Sequence, residues 1–155
     1  MSTKALWSLV LVLSLALLAG LAYRLAPSLR ASAVETLAAT HCDPGTQACR
    51  AILPRGGQIE LTISPEPIRA LQTLALLVTV SGAETTALAV DFEGRDMAMG
   101  SNRSLLSGAD GQFTGRAMLP VCVSGRMAWV ATVHLDGKDG ALAVPFHFTA
   151  EGVSR

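Results

Sequence analysis

From Gln58 onward the apolar residues recur at every second position, and that period confines the C-terminal part of the chain to β-structure. Ile59, Leu61 and Ile63 alternate with Gln58, Glu60 and Thr62, the pattern of a strand with one buried face. Ser64-Pro65-Glu66-Pro67 ends this strand, because proline cannot donate to a central ladder. Leu74 to Val80 is a nearly continuous apolar run, short enough for a buried strand, and Leu88, Val90 and Phe92 resume the alternation. Asp110-Gly111 is a turn signal ahead of Gln112 to Met118. Met127, Trp129, Ala131, Val133 and Leu135 share one face of a further strand. Leu142, Val144, Phe146 and Phe148 share a face of the next, and Gly137-Lys138-Asp139-Gly140 joins the two as a hairpin loop.

Six or seven short strands in about 95 residues, separated by turns, predict an all-β domain, an immunoglobulin-like antiparallel β-sandwich over residues 57–150 with a tail at 151–155. Trp129 is the natural centre of its core. Twelve Lys and Arg balance twelve Asp and Glu, half of the residues are apolar and 15% are charged. Such a chain is too apolar for disorder. It also lacks the basic surface with which a general nucleic-acid binder displaces counterions from phosphates.

Between Lys4 and Arg24 lie nineteen uncharged residues, Ala5 to Tyr23, rich in Leu, Val and Ala. At about 1.5 Å per residue a helix of that length spans roughly 28 Å, close to the hydrocarbon thickness of a bilayer. Trp7 and Tyr23 stand near its ends, where amphipathic rings prefer the interface. The expected organisation is a cytoplasmic N-terminus at 1–4, a single transmembrane helix at 5–23, a stalk and cysteine-containing lead-in at 24–56, and then the β domain. The alternative is a cleaved signal peptide, with Lys4 as its charged start and Ala31-Ser32-Ala33 as a small-x-small cleavage pattern. That pattern lies eight residues past the apolar run, and the run exceeds the usual apolar region of about 7–15 residues. Both readings send the rest of the chain across the membrane. Within the lead-in, Arg24 to Thr40 reads as a short helix and His41 to Gly57 as irregular.

Cys42 and Cys49 bracket Asp43-Pro44-Gly45, a sequence suited to a tight turn. A disulfide closing that loop is sterically reasonable and requires an oxidising compartment. The flanking charges do not settle orientation, but the cysteines favour an N-in, C-out protein of a bacterial inner membrane with its domain in the periplasm. Cys122 is left over.

Chemistry concentrates in Asp96-Met97-Ala98-Met99-Gly100. In an extended chain Met97 and Met99 project to the same side, and two thioethers at that spacing suit a soft ion such as Cu(I). The other reading is that both fill the edge of the core as adaptable apolar side chains. Asp96, Gly100, Ser101 and Asn102 mark the stretch as a loop.

Within Leu76–Phe148 a further pattern appears. It comprises Val90-Asp91-Phe92, Met97-Ala98-Met99-Gly100, Gly111-Gln112-Phe113-Thr114-Gly115, Leu119-Pro120 with Gly125, Trp129, and Phe146-His147-Phe148. In these elements, over about half its length, the chain resembles the periplasmic YtkA-like and FixH-like domains. The resemblance implies an immunoglobulin-like sandwich tethered by an N-terminal membrane helix, and an association with copper handling or terminal-oxidase assembly. Cys122, in Pro120-Val121-Cys122, stands where methionine or another apolar residue is more typical, and the Cys42–Cys49 segment is an addition. Cys122 thus has three readings: a buried small hydrophobe, a partner for Cys42 or Cys49, or a third soft ligand beside Met97 and Met99.

His134 and His147 lie on the faces opposite the apolar rows. A hairpin turning about Lys138-Asp139 sets His134 against residue 143 and His147 against residue 130. The two imidazoles are then on the order of 13 Å apart, which suits solvated sheet residues better than a shared metal. His41 directly precedes Cys42, and chance explains that as well as metal binding does. G-x-G-x-x-G, the P-loop, His-Glu-x-x-His, G-x-S-x-G and Cys-x-x-Cys are all absent, so an enzyme is not expected. Three functions remain: a membrane-tethered copper domain with Met97, Met99 and Cys122 or a histidine on Cu(I); a metal-free structural or adaptor module of a membrane complex; and, least favoured, a dithiol redox helper using Cys42 and Cys49.

Overall fold

A computed structural model describes residues 3–29, 34–96, 100, 102–120, 125–137 and 140–152. The chain forms two compact units, Met1–Ala33 and Val34–Arg155. The first holds one helix, α1 (Thr3–Leu29). It runs six residues beyond Tyr23, and no second helix follows it among the described residues. Its described apolar side chains are exposed, from Leu21 at 54% to Trp7 at 76%, and they surround the helix instead of forming one stripe. Among the described residues no helix is long and apolar enough to cross a membrane.

The second unit is built of ten strands: β1 (Glu35–Thr36), β2 (Thr40–His41), β3 (Cys49–Ile52), β4 (Gln58–Ser64), β5 (Thr73–Ser81), β6 (Ala87–Gly94), β7 (Asn102–Ala109), β8 (Gln112–Met118), β9 (Arg126–Gly137) and β10 (Gly140–Glu151). They follow one hydrogen-bonded path, β1-β10-β9-β6-β7-β8-β5-β4-β3, with β2 also on β10. The pairings are antiparallel except that β1 and β2 lie parallel to β10. The expected strands are present, and the alternation correctly divides their faces. On β5 the apolar run proves to be half-buried: Leu74, Leu76, Val78 and Val80 point inward while Ala75 and Leu77 point out.

Two regions differ from the sequence expectation. Residues 35–56 are neither a short helix nor wholly irregular, and the β unit begins at Val34 instead of residue 57. The lead-in is drawn into the sheet because β10 has a free edge and β4 has another. Leu37 N–H donates to the Ala143 carbonyl at 2.9 Å, Leu37 packs on the core, and β3 pairs Cys49 with Leu61 and Ala51 with Ile59. β7 was hidden because only Leu106 in it is buried, so its sequence carries no alternation.

β7 also curls the sheet. Its residues 102–106 pair with β6, and its residues 107–109 pair with β8. The inward side chains of β4, β5, β6, β8, β9 and β10 thereby meet in one core that includes Phe92, Trp129, Phe146 and Phe148. Phe92 and Phe148 meet edge to face at 6.2 Å, a favoured aromatic geometry. Two glycines permit the hand-over. A Cβ on Gly108 would stand 1.9 Å from the Gln112 carbonyl oxygen. Gly111 closes the β7–β8 turn at φ 78°, after Asp110 at φ 54°, a pair of left-handed conformations typical of two-residue hairpin turns.

Gly108→Ala forces backbone apart at the hand-over and is expected to lower the unfolding free energy by about 2 kcal/mol and the melting temperature by roughly 5–10 °C. Gly100, where an added Cβ meets nothing within 4 Å, is the control: Gly100→Ala should melt with the wild type in the same thermal scan.

Candidate functional site

The disulfide expected between Cys42 and Cys49 is formed, with Cα atoms 5.7 Å apart. Asp43 begins the enclosed turn: its carboxylate accepts from Gly45 N–H at 3.0 Å, and its carbonyl accepts from Thr46 and Gln47 N–H, each at 3.2 Å. The buried Pro44 carbonyl accepts from Ile63 N–H at 2.8 Å, which fastens the turn to β4. Cys49 is fully buried. The bond thus ties the residue after β2, at the β10 edge, to the first residue of β3, at the other edge.

Outward residues of β2, β6, β7, β9 and β10 assemble two polar groups. In the first, Asp91 lies opposite Arg103 and Thr132. His134 reaches it diagonally, with Nε2 3.0 Å from Oδ2, and Arg103 stands 3.6 Å from the same oxygen. The Asp91 side chain is only 13% exposed, and its Oδ1 is buried without a hydrogen-bond partner. In the second, parallel pairing sets His147 directly opposite His41. Their ring centroids are 4.7 Å apart and their planes are inclined by 77°. Nδ1 of His147 is buried and makes no hydrogen bond. Burial holds the His147 pKa below the ordinary histidine value of 6.5, and His41 and then Arg95 reinforce the effect by repulsion.

The expected register is observed: His134 faces Ala143 and His147 faces Val130. Their description as solvated sheet residues needs correction, since His134 lies against the Asp91 carboxylate and His147 is half-buried against His41. The pairing of His41 with His147 was invisible because the two residues are 106 positions apart in sequence. Asp91 carried a weak signal, a carboxylate between Val90 and Phe92 on the face that Ala87 and Ala89 share. The proposed soft ligands Met97, Met99 and Cys122 lie outside the described residues. The strand ends from which their segments depart are described: Asn102 Nδ2 donates to the Met118 carbonyl, and Arg95 N–H donates to the Ala128 carbonyl at 3.0 Å.

No protein-family profile matches the chain, and no curated protein matches it. Among solved structures, an engineered protein from the Northeast Structural Genomics Consortium is similar to it at 15% identity and a TM-score of 0.37, over 71% of this chain and 21% of the other. At that score the likeness does not specify a shared fold.

Two outcomes follow from this geometry. The Cys42→Ala/Cys49→Ala double variant frees a short loop in the unfolded chain, and equilibrium denaturation should register a loss of about 2.5 kcal/mol. For His147, the unfolded imidazole takes up a proton near pH 6.5 that the folded one accepts only at lower pH. Stability is therefore complete above pH 6.5 and falls as the pH drops below it. In chelator-treated protein, His147→Phe should flatten that decline in melts recorded between pH 7.5 and 5.

Proposed function

We propose that the chain is a membrane-tethered, periplasmic immunoglobulin-like β-sandwich that binds copper and delivers it to a membrane complex, an oxidase being the class its resemblance suggests. Met97, Met99 and Cys122 are the Cu(I) ligands in this reading. The observation that carries it is the Asn102–Met118 hydrogen bond. It joins the start of β7 to the end of β8, so described residues on the chain paths to Met99 and to Cys122 meet there. Met99 stands three positions before Asn102, and Cys122 four positions after Met118. At roughly 3.5 Å per residue, covalent reach holds both within about 10–14 Å of that bond.

The tether rests on the whole uncharged run. No helix among the described residues meets the length and hydropathy of a span, but all nineteen residues from Ala5 to Tyr23 fall inside α1. Together they have the reach of a bilayer core. The disulfide suits an oxidising space outside the cytoplasm. The buried sulfur of Cys49 favours a structural cross-link over dithiol exchange.

A second reading, a metal-free adaptor, draws support from apolar side chains at the same end. Leu71 and Met118 are exposed, and Leu71 N–H donates to the Leu119 carbonyl at 3.0 Å. Titration of the full-length protein in detergent with Cu(I), against a chromophoric chelator, separates the two. The copper reading expects Met97→Ala/Met99→Ala to weaken binding by about tenfold or more. Equal affinity in variant and wild type removes the methionine site and leaves the adaptor.

A further inference from the structure

We propose that His41 and His147 form an open two-imidazole site for a divalent transition-metal ion, with copper(II) the ion it holds most strongly. The residues are direct partners in the parallel pairing of β2 with β10, so their side chains leave the same face of the sheet. Their ring centroids lie 4.7 Å apart. An imidazole bound at about 2.0–2.1 Å puts its ring centre roughly 3.1 Å from the ion. Two centroids at the observed separation then subtend an angle of about 95–100° at a common ion. That is close to the right angle between neighbouring ligands in the tetragonal geometry of copper(II), and tighter than the tetrahedral angle of zinc. Rotation about χ2, a broad torsion for histidine, is the adjustment that aims one nitrogen of each ring at the same point.

A second observation points to a ligand. Nδ1 of His147 is buried with no hydrogen-bond partner, and buried polar atoms left without a partner are rare. Coordination would satisfy it. Two neutral nitrogen donors suit copper, nickel or zinc, not calcium or magnesium, which take oxygen. Arg95, the cation acting on His147, lies 3.7 Å from the Asp96 carboxylate, which moderates its repulsion of an ion. No cluster of three or more His, Cys, Asp or Glu occurs among the described residues. The remaining coordination positions are left to water or to a group brought by another molecule. The site uses none of the sulfur ligands and stands whether or not Met97, Met99 and Cys122 bind Cu(I).

The test is titration of chelator-stripped, full-length protein in detergent with copper(II) alone, in the presence of glycine as a weak competitor. Binding is followed by visible absorbance, and electron spin-echo spectroscopy counts the coupled imidazole nitrogens. The expected result is one equivalent held by two imidazoles. His41→Phe and His147→Phe should each weaken binding by about tenfold or more and remove one imidazole from the signature. His134→Phe and Met97→Ala/Met99→Ala should change neither affinity nor spectrum. Undiminished binding in His41→Phe overturns the proposal, as does equal loss in His134→Phe or uptake of several equivalents without an imidazole signal. His41 is exposed, so its variant keeps the test decisive if His147→Phe unfolds, which a melting curve establishes. Loss of Cu(I) binding only in the methionine variant, with copper(II) binding intact, separates this site from the sulfur site.

Discussion

One covalent bond holds the two free edges of the curled sheet together. The hydrogen-bonded path of the β unit starts beside β10 and ends at β3, and Cys42–Cys49 joins those extremities. Strands of two residues such as β1 and β2 have few hydrogen bonds and little apolar area of their own, so they belong to the low-stability end of a fold. The cross-link removes that weakness for β2 by fastening its neighbour to a residue in the core. It also decides where His41 stands, one residue before the bonded cysteine. The same closure covers part of two sheet edges that would otherwise invite pairing with other chains.

The two sides of the sheet have separate roles. Inward side chains form a continuous apolar core with no buried polar residue among the described positions. Outward ones gather Asp91, Arg103 and His134 into one group on β6, β7 and β9 and set His147 of β10 against His41 of β2 in another. An outward face half-sheltered by neighbouring strands lowers the local dielectric, which strengthens ion pairs and makes unpaired atoms costly. Asp91 has the Arg103 guanidinium and the His134 ring on a single oxygen. His147 has the His41 ring beside it, and burial keeps it less basic than an exposed histidine. These half-satisfied groups distinguish the face from an ordinary solvated one.

In the proposed reading, two kinds of donor serve one domain. Asn102 and Met118, on the chain paths to Met99 and Cys122, are joined by one hydrogen bond, while the imidazole pair lies on the outward face, near enough to Arg95 for its charge to be felt. Arg95 and Asp96 are the last described residues before Met97. Soft thioethers prefer the reduced ion and imidazoles accept the oxidised one. A protein carrying both has a physical basis for handling copper in either state.

The period-two strands, the inward rows, the Asp110-Gly111 turn, the Cys42–Cys49 loop and the β9–β10 register are all legible in the order of the residues. Each of these depends on neighbours close in the chain: alternation reports one strand's own burial, and a two-residue hairpin loop leaves its register little freedom. That β1 and β2 run parallel to β10, that Cys49 opens a strand, and that β7 passes from one partner to another emerge only once the sheet is folded. A two-residue strand has no period to read. A parallel pairing across more than a hundred residues depends on where the curled sheet brings its edges, and the meeting of His41 with His147 is a product of that closure.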